Sequence, residues 1–249
     1  MLRKYSWKPS LPDYRDFIYT VSHSQTPLPS KVDLRTRYNK VYDQGQLGSC
    51  VDNATSLAFD FEKVLQNQSP ILPSRLFLYY NARLAEGTTS YDSGSTVRDG
   101  IKTFSKQGAC PETSWPYIIS KFRTKPSSLC YTQGLNHQVK QYLSIDNTVI
   151  HNLKACLAAN YGFIFGFSVY SSFESNTVAN TGIVPIPGVG DSLLGGHCCY
   201  CLGYDDENSW FICRNSWGTA WGDAGHFYLP YSYMTNPNLA SDFWTIRLV

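Results

Sequence analysis

A glycine-rich loop that leads directly into an amphipathic helix places the strongest constraint on this chain. The loop reads Gln44-Gly-Gln-Leu-Gly-Ser-Cys50, and its two glycines permit a tight turn with unusual backbone angles. We predict that a helix begins at about Cys50, with Ser49 as its N-cap and Asp52 completing a capping box. The residues that support this helix are apolar and recur at helical spacing: Val51, Ala54, Leu57, Ala58, Phe61, Val64 and Leu65.

The position of Cys50 in the first turn of this helix has two interpretations. The helix dipole and the free backbone N–H groups of a first turn favour the thiolate, which is the nucleophilic form of cysteine. Alternatively, Cys50 is only a small buried hydrophobic residue, as cysteine often is. The segment alone does not decide between a reactive thiol and a structural one.

The rest of the chain is predicted to be helical first and then rich in β-strands. Further helices are expected in three segments, 74–85, 95–106 and 148–159. Strands are expected at 17–21, 162–170, 195–204, 210–215 and 225–229. The strands at 195–204 and 210–215 form a hairpin by pattern. Because His197 and Asn215 are 18 positions apart (215 − 197), the hairpin brings them to the same end.

Composition argues against several classes of function. The 249 residues are 43% hydrophobic and carry a net charge of +2 with no basic block, so neither nucleic acid nor a membrane surface is an expected partner. No apolar run of about 18 residues occurs, and Arg3 and Lys4 are not followed by the apolar stretch of a signal peptide. We therefore expect a monomer whose synthesis in the cytosol is favoured.

The eight cysteines fit neither a dense disulfide framework nor a zinc site. The cluster of Cys198, Cys199 and Cys201 lacks a second cysteine pair at zinc spacing, so we expect it to belong to a core strand. No metal and no cofactor is predicted. A disulfide between Cys110 and Cys130 remains open.

Three motifs, in order, make the chain resemble the papain-like (cathepsin-like) cysteine peptidases. They are Gln44-Gly-x-x-Gly-Ser-Cys50, Gly195-Gly-His197 and Arg214-Asn-Ser-Trp-Gly-x-x-Trp-Gly222, with a weaker likeness of Leu28–Arg35 to the start of a mature domain. His197 lies 147 positions beyond Cys50 (197 − 50), within the family range of about 130–150. The resemblance covers roughly residues 28–249.

This resemblance implies an α+β, papain-like fold of two lobes. A helical N-terminal lobe covers about 38–135, and an antiparallel, β-barrel-like C-terminal lobe covers about 136–249, with the active-site cleft between them. The implied activity is hydrolysis of proteins or peptides, most readily by an endopeptidase, through a thiolate–imidazolium pair and a thioester acyl-enzyme.

The resemblance also implies roles for individual residues. Cys50 is the nucleophile, His197 its base, and Asn215 the residue that orients the imidazole. The side chain of Gln44 and the backbone N–H of Cys50 form the oxyanion hole. The expected shielding and cleft-lining residues are Trp217, Gly94, Ser95 and Gly196, and Ser241 or Asp242 is expected in the main specificity pocket.

The sequence departs from the family pattern in three places, one of which is Asp92-Ser-Gly-Ser95, where relatives usually have a Gly-Gly pair that lines the substrate groove. Leu47 and Val51 replace the cysteine and the aromatic residue that usually flank the nucleophile in this signature. Residues 1–27 are too few for a long helical pro-segment. We expect this proline-stiffened, aromatic-rich extension to be either a latch that covers the cleft and inhibits the enzyme, or a permanent structural strand.

Two alternatives to hydrolysis remain on the same scaffold. One is a transpeptidase or ligase, in which an amine replaces water in the second step. The other is a catalytically silent peptide-binding module, although the joint presence of Gln44, Cys50, His197 and Asn215 favours catalysis.

Overall fold

The computed structural model describes residues 3–21 and 27–248, so predicted features at 1–2, 22–26 and 249 lie outside the described residues. Seven α-helices occur in the described residues. They are α1 (Cys50–Leu65), α2 (Arg75–Ala85), α3 (Val97–Gln107), α4 (Ser128–Gly134), α5 (Ile150–Ala158), α6 (Asn176–Thr181) and α7 (Tyr231–Met234). The three longest helices precede most of the strands, as the sequence predicts. No helix in the described part of the chain has the length and hydropathy needed to cross a membrane.

Seven strands of the described residues form one antiparallel sheet. They are β1 (Lys31–Asp33), β2 (Gln141–Ser144), β3 (Phe163–Tyr170), β4 (Leu193–Asp205), β5 (Trp210–Arg214), β6 (His226–Pro230) and β7 (Ala240–Arg247). The strand order is β2-β7-β3-β4-β5-β6, and β1 pairs with β4. The predicted α+β class is therefore confirmed.

The barrel-like shape expected for this sheet is wrong, because the sheet is open. Closure would require β2 to pair with β6, and no such pairing occurs among the described strands. The outer edge of β6 is instead covered by the segment at 182–184. Tyr228 donates its backbone N–H to Gly182 O at 2.8 Å and accepts from Val184 N at 3.1 Å.

Strand β4 lies between two hydrophobic cores. Successive side chains of a strand point to opposite faces, so β4 contributes residues to both cores. Cys198, Tyr200 and Leu202 belong to the core shared with α1, α2 and α3. Cys199 and Cys201 belong to the aromatic core on the other face, with Phe165 and Phe211 among others. All eight cysteines are buried free thiols, so Cys110 and Cys130 do not form a disulfide.

The predicted helices are present, but their caps differ from the prediction at α1. Helices α2 and α3 begin after Ser74 and Thr96, whose hydroxyls accept backbone N–H bonds in the first turn. At α1 the capping box is wrong, since the Ser49 side chain makes no cap bond. Its hydroxyl bonds to Tyr117 Oη at 2.6 Å instead, and both carboxylate oxygens of the buried Asp52 lack a hydrogen-bond partner among the described residues. A tertiary contact has replaced the local one.

The N-terminal segment forms only a fragment of the predicted strand at 17–21. Ile18 makes an isolated bridge with Ser144 of β2. Two backbone hydrogen bonds hold it there, from Tyr19 N to Ser144 O at 2.7 Å and from Ser144 N to Phe17 O at 2.8 Å. The segment is thereby attached to one edge of the sheet.

Candidate active site

Cys50 is the first residue of α1 and its side chain is completely buried. Strand β4 packs against this helix, and the backbone N–H of Cys198 acts on the Cys50 thiol in the direction that favours the thiolate. Cys198 directly follows His197 in the chain. The fold therefore brings Cys50 next to the strand that carries His197, although the two residues come from distant parts of the sequence.

His197 and Asn215 meet at one end of the β4–β5 hairpin, as the spacing predicts. The distance from His197 Nε2 to Asn215 Oδ1 is 2.9 Å, and both side chains are buried. Because an amide oxygen only accepts, Nε2 carries the proton in this pair. The other ring nitrogen, Nδ1, has no hydrogen-bond partner among the described residues and is the nitrogen available to take a proton from a thiol.

The oxygen of Asn215 is itself held in place by two neighbours. The backbone N–H of Ser216 donates to Oδ1 at 2.8 Å, and the thiol of Cys199 lies 3.7 Å from the same oxygen. Trp217 stacks on the imidazole of His197 with ring centroids 5.1 Å apart and planes at 24°. Trp217 is buried and screens the His197–Asn215 hydrogen bond from water.

Gln44 lies next to Ser216, the residue that follows Asn215, and Ser216 fixes the side-chain amide of Gln44. The Ser216 hydroxyl donates to Gln44 Oε1 at 2.6 Å, and Gln44 Nε2 donates to Leu47 O at 3.0 Å. Their main chains also pair, since Gln44 N donates to Ser216 O at 2.9 Å. Ser216 is not among the site residues that the sequence predicts. Its position directly after Asn215, within one of the three motifs, was the available signal.

Residues 3–10 run across the face that carries Cys50 and His197. Tyr5 lies edge-on to the His197 ring, with centroids 6.1 Å apart. Ser6 donates its hydroxyl to Gly48 O at 2.9 Å, and Trp7 donates its backbone N–H to Gly196 O at 3.0 Å. The side chain of Trp7 is buried within the protein.

Charged and polar side chains also attach this segment to the rest of the protein. Lys4 forms an ion pair with Asp92, and beyond the segment, further along the N-terminal extension, Asp16 forms one with Arg98. The Tyr5 hydroxyl bonds to the carboxylate of Glu174. The guanidinium of Arg3 lies 4.3 Å from the centre of the Trp217 ring.

Two of the predicted cleft-lining residues contact the segment. Gly94 has a φ of 70°, and a Cβ there would collide with the backbone of Ser6, so the close approach depends on glycine. Gly196 accepts the Trp7 hydrogen bond described above. Ser95 is fully buried, and its hydroxyl has no hydrogen-bond partner among the described residues.

Burial sets the protonation state of the covered site. Loss of solvent raises the pKa of the Cys50 thiol to about 12, although the Cys198 N–H acts in the opposite direction. Burial also lowers the pKa of His197 to about 4, and the positive charge of Arg3 adds to this effect. Both shifts favour the uncharged forms, the thiol of Cys50 and the neutral imidazole of His197.

A thiol at a helix start, an imidazole bonded to an asparagine and a fixed glutamine amide match the residue types expected for a cysteine peptidase site on an α+β fold. In the described residues, no group of three His, Cys, Asp or Glu side chains is placed to hold a metal ion. Residues 28–243 match the sequence profile of the papain family of cysteine proteases, and the chain belongs to that family.

Two comparisons support this membership, and a third supports the fold. The chain is 41% identical over 215 residues to an uncharacterised peptidase C1-like protein of Acanthamoeba polyphaga mimivirus, covering 83% of this chain and 69% of that protein. It also matches the crystal structure of xylellain, a cysteine protease from Xylella fastidiosa, with a TM-score of 0.94 and 42% sequence identity. This match covers 100% of this chain and 99% of the xylellain chain. Digestive procathepsin L 3 of Tenebrio molitor shares the fold, with a TM-score of 0.75, 19% identity and coverage of 94% and 75%.

Proposed function

We propose that this protein is a cysteine endopeptidase made as a zymogen, with residues 3–10 as the latch that keeps it inactive. The observation that carries the proposal is the course of this segment across His197, where Tyr5 lies against the imidazole, together with the complete burial of Cys50 and His197. The procathepsin named above is a relative in fold that is also described in its pro-form.

In the proposed mechanism, release of the segment returns water to the cleft and allows the charged pair to form. The proton of Cys50 passes to His197 Nδ1, and each charge then stabilises the other. The thiolate attacks the peptide carbonyl carbon, and His197 gives its proton to the leaving amine. A water molecule, deprotonated by His197, attacks the thioester and releases the acid, and the proton returns to the Cys50–His197 pair.

Gln44, Cys50 and Asn215 support these steps. Gln44 Nε2 and the backbone N–H of Cys50 donate to the oxyanion that develops on the substrate carbonyl. The hydrogen bond from Ser216 to Gln44 Oε1 leaves the amide nitrogen as the end that faces the reaction. Removal of one preorganised donor of this kind lowers kcat by about 10²–10³-fold.

We propose that the latch lies in the cleft in a position where it is not cleaved. Among the described residues, no carbonyl of the segment accepts a hydrogen bond from Gln44, and the recorded bond of Gln44 Nε2 goes to Leu47 O. A carbonyl outside the oxyanion hole is not activated for attack by Cys50. The segment therefore blocks the cleft without being a substrate at that position.

An open groove favours endopeptidase over exopeptidase activity. The cleft already holds the continuous stretch from Arg3, over Trp217, to Ser10, whose N–H bonds to Asp242 Oδ2 at 2.8 Å. A groove that accepts eight residues (3 to 10) does not require a free chain end next to the scissile bond.

An internally quenched peptide with both termini blocked tests this proposal. We expect the full-length protein with Trp7→Ala to cleave it internally, and Cys50→Ala in the same background to leave it intact. Cleavage only of peptides with a free terminus would show an exopeptidase. An added amine that is incorporated into the main product would show a transpeptidase, and binding without any cleavage would show a silent module.

A further inference from the structure

The loop before Cys50 contains a peptide unit, joining Leu47 to Gly48, that is hydrogen-bonded at both ends. Its carbonyl oxygen, Leu47 O, accepts from Gln44 Nε2 at 3.0 Å. Its N–H, on Gly48, donates to Asp92 Oδ1 at 3.0 Å. The C=O and N–H of a trans peptide point in opposite directions. This unit therefore lies between the side-chain amide of Gln44 and the carboxylate of Asp92.

Asp92 is itself held in place. Its side chain is only 10% exposed, and the hydroxyl of Tyr79 donates to the same Oδ1 that accepts from Gly48. Gly94 in turn donates its backbone N–H to the Tyr79 oxygen at 3.2 Å. Tyr79 is fully buried in α2, where it packs with Leu47. The carboxylate is thus a fixed acceptor, and hydrogen bonds to an ionised acceptor are stronger than neutral ones.

The orientation of this peptide unit bears on the Gln44 amide. An amide nitrogen carries two N–H groups. One N–H of Gln44 Nε2 goes to Leu47 O, and under the proposed function the other donates to the oxyanion. The direction of the Leu47 carbonyl therefore sets the direction of the N–H that faces the substrate. Asp92 holds the opposite end of the same rigid unit, so it controls that direction.

We propose that Asp92 is a positioning residue for catalysis, which fixes the Leu47–Gly48 peptide and through it the oxyanion donor Gln44. The inference rests on the proposed function and adds a residue to the same site. Asp92 acts through Gln44 and not on the substrate itself. Ser216 holds the oxygen of the Gln44 amide, and Asp92 holds the acceptor of its nitrogen, so both ends of the amide are fixed.

The two oxygens of Asp92 contact different parts of the protein. Oδ1 accepts from Gly48 and Tyr79, whereas Oδ2 pairs with Lys4 of the latch at 2.5 Å. Release of the latch removes the Lys4 partner and leaves the bond to Gly48 in place. The positioning role therefore belongs to the open enzyme as well as to the covered one.

The test measures kcat in the full-length chain with Trp7→Ala, on a doubly blocked, internally quenched peptide. An attached latch competes with the substrate and alters KM, so kcat is the informative constant. It is counted per chain that an epoxide labels at Cys50, which leaves misfolded chains out. We expect Asp92→Ala to lower kcat by about tenfold, less than removal of the donor itself. Asp92→Asn keeps an oxygen that accepts from the Gly48 N–H and should retain most of kcat.

Two further variants separate positioning from a general loss of structure. Asp205→Ala is the matched control, since Asp205 is 7% exposed, pairs with Lys31 and accepts a backbone N–H from Glu207 at 3.1 Å. Asp205 ends β4, eight positions beyond His197 (205 − 197), and its loss should leave kcat unchanged. In a Gln44→Ala background, Asp92→Ala should cause no further loss, because the amide through which it acts is absent.

The outcomes separate this inference from the proposed function. If Asp92→Ala has the kcat of its parent, or loses the same factor with and without Gln44, the role of Asp92 is overturned and the peptidase activity stands. If Asp92→Ala does not fold, Tyr79→Phe replaces it, since it removes the hydroxyl that fixes Asp92 and should lower kcat only when Gln44 is present. An unchanged kcat there overturns the role equally. If Trp7→Ala cleaves no peptide and Cys50 does not react with the epoxide, the proposed function fails and this inference fails with it.

Discussion

The ring of Tyr5 lies edge-on to the imidazole of His197, with 6.1 Å between centroids and 81° between planes. Trp217 stacks on the same imidazole at 5.1 Å. His197 is thus enclosed between the N-terminal segment and the indole of Trp217. Burial lowers the pKa of His197 to about 4, and Tyr5 and Trp217 contribute to this burial. Under the proposed function, the contact that covers His197 therefore also favours the uncharged imidazole.

Removing the aromatic contacts of the segment should activate the protein. We expect Tyr5→Ala and Trp7→Ala to raise the kcat/KM of the full-length chain, Trp7→Ala by at least tenfold, because each deletes an aromatic contact of residues 3–10, from a half-buried Tyr5 and a buried Trp7. Burial of a large aromatic side chain is worth roughly 1.5–3 kcal/mol, which corresponds to tenfold or more in the open population. Initial rates on a quenched peptide measure the effect.

Tyr14→Ala is the matched control for this experiment. Tyr14 is in the same extension, but its side chain is 99% exposed. We expect its rate to equal that of the unmodified chain. Equal rates for Tyr5→Ala, Trp7→Ala and Tyr14→Ala would show that the segment is a permanent structural strand.

Cys50→Ala should abolish turnover while leaving the fold intact. The substitution removes the proposed nucleophile, and alanine fits the space of the buried cysteine side chain. Rates and melting curves in the Trp7→Ala background measure both properties. Cys110→Ala removes another buried free thiol and should stay active. Residual turnover in Cys50→Ala comparable to that control would refute nucleophilic catalysis by Cys50.

Asn215→Ala should lower turnover less than Cys50→Ala does. Asn215 orients the imidazole through Nε2 but does not react, so its loss leaves a less well positioned base that still carries the proton. The kcat of the two variants on one peptide makes the comparison. Complete inactivity of a correctly folded Asn215→Ala would assign it more than an orienting role.

Ser216→Ala should reduce kcat by roughly tenfold with little change in KM. The Ser216 hydroxyl fixes Gln44 Oε1 at 2.6 Å, and without it the amide can rotate away from the oxyanion. Gln44→Ala removes the donor itself and should lower kcat by about 10²–10³-fold. The double variant should be no worse than Gln44→Ala alone. Additive losses would mean that Ser216 acts independently of Gln44.

Glu62→Gln should stabilise the protein at alkaline pH. Glu62 is buried in α1, its Oε1 has no hydrogen-bond partner among the described residues, and burial raises its pKa to about 8. A carboxyl with a pKa higher in the folded than in the unfolded chain holds its proton more tightly when folded. Its contribution to stability is therefore lost as pH rises from about 4 towards 8.

The glutamine variant has no charge to bury. Its free energy of unfolding should exceed that of the parent by on the order of 2 kcal/mol at pH 8 and by almost nothing at pH 4.5. Denaturant unfolding at the two pH values measures this difference. Glu207→Gln changes an exposed carboxylate and should show no such gain. A gain of equal size at both pH values would exclude deprotonation of Glu62 as the cause.

The sequence predicts the parts of the site that depend on local pattern. The helix beginning at Cys50 and the hairpin that joins His197 to Asn215 follow from periodicity and spacing, because these contacts are set within one element or one hairpin. Ser49 and Asp52 show where local rules fail, since Ser49 bonds to Tyr117 and leaves the predicted cap unmade.

Features that depend on contacts between distant segments could not be predicted in this way. Trp7 and Asp242 are 235 positions apart, and only the folded chain brings the indole to the carboxylate. A one-residue bulge in β7 places both Asp242 and Phe243 opposite Phe165. The alternation of apolar residues in the sequence does not reveal this bulge. The open sheet likewise depends on the segment at 182–184, which covers the edge of β6.

Reaction of the cysteines with a thiol-directed epoxide tests the central claim most directly. In full-length Trp7→Ala, peptide mapping by mass spectrometry should find one label per chain, on Cys50 alone among eight buried thiols, and His197→Ala should slow this labelling at least a hundredfold. An unreactive Cys50, or labelling of Cys50 at the same rate without His197, would contradict the proposed pairing of the two side chains.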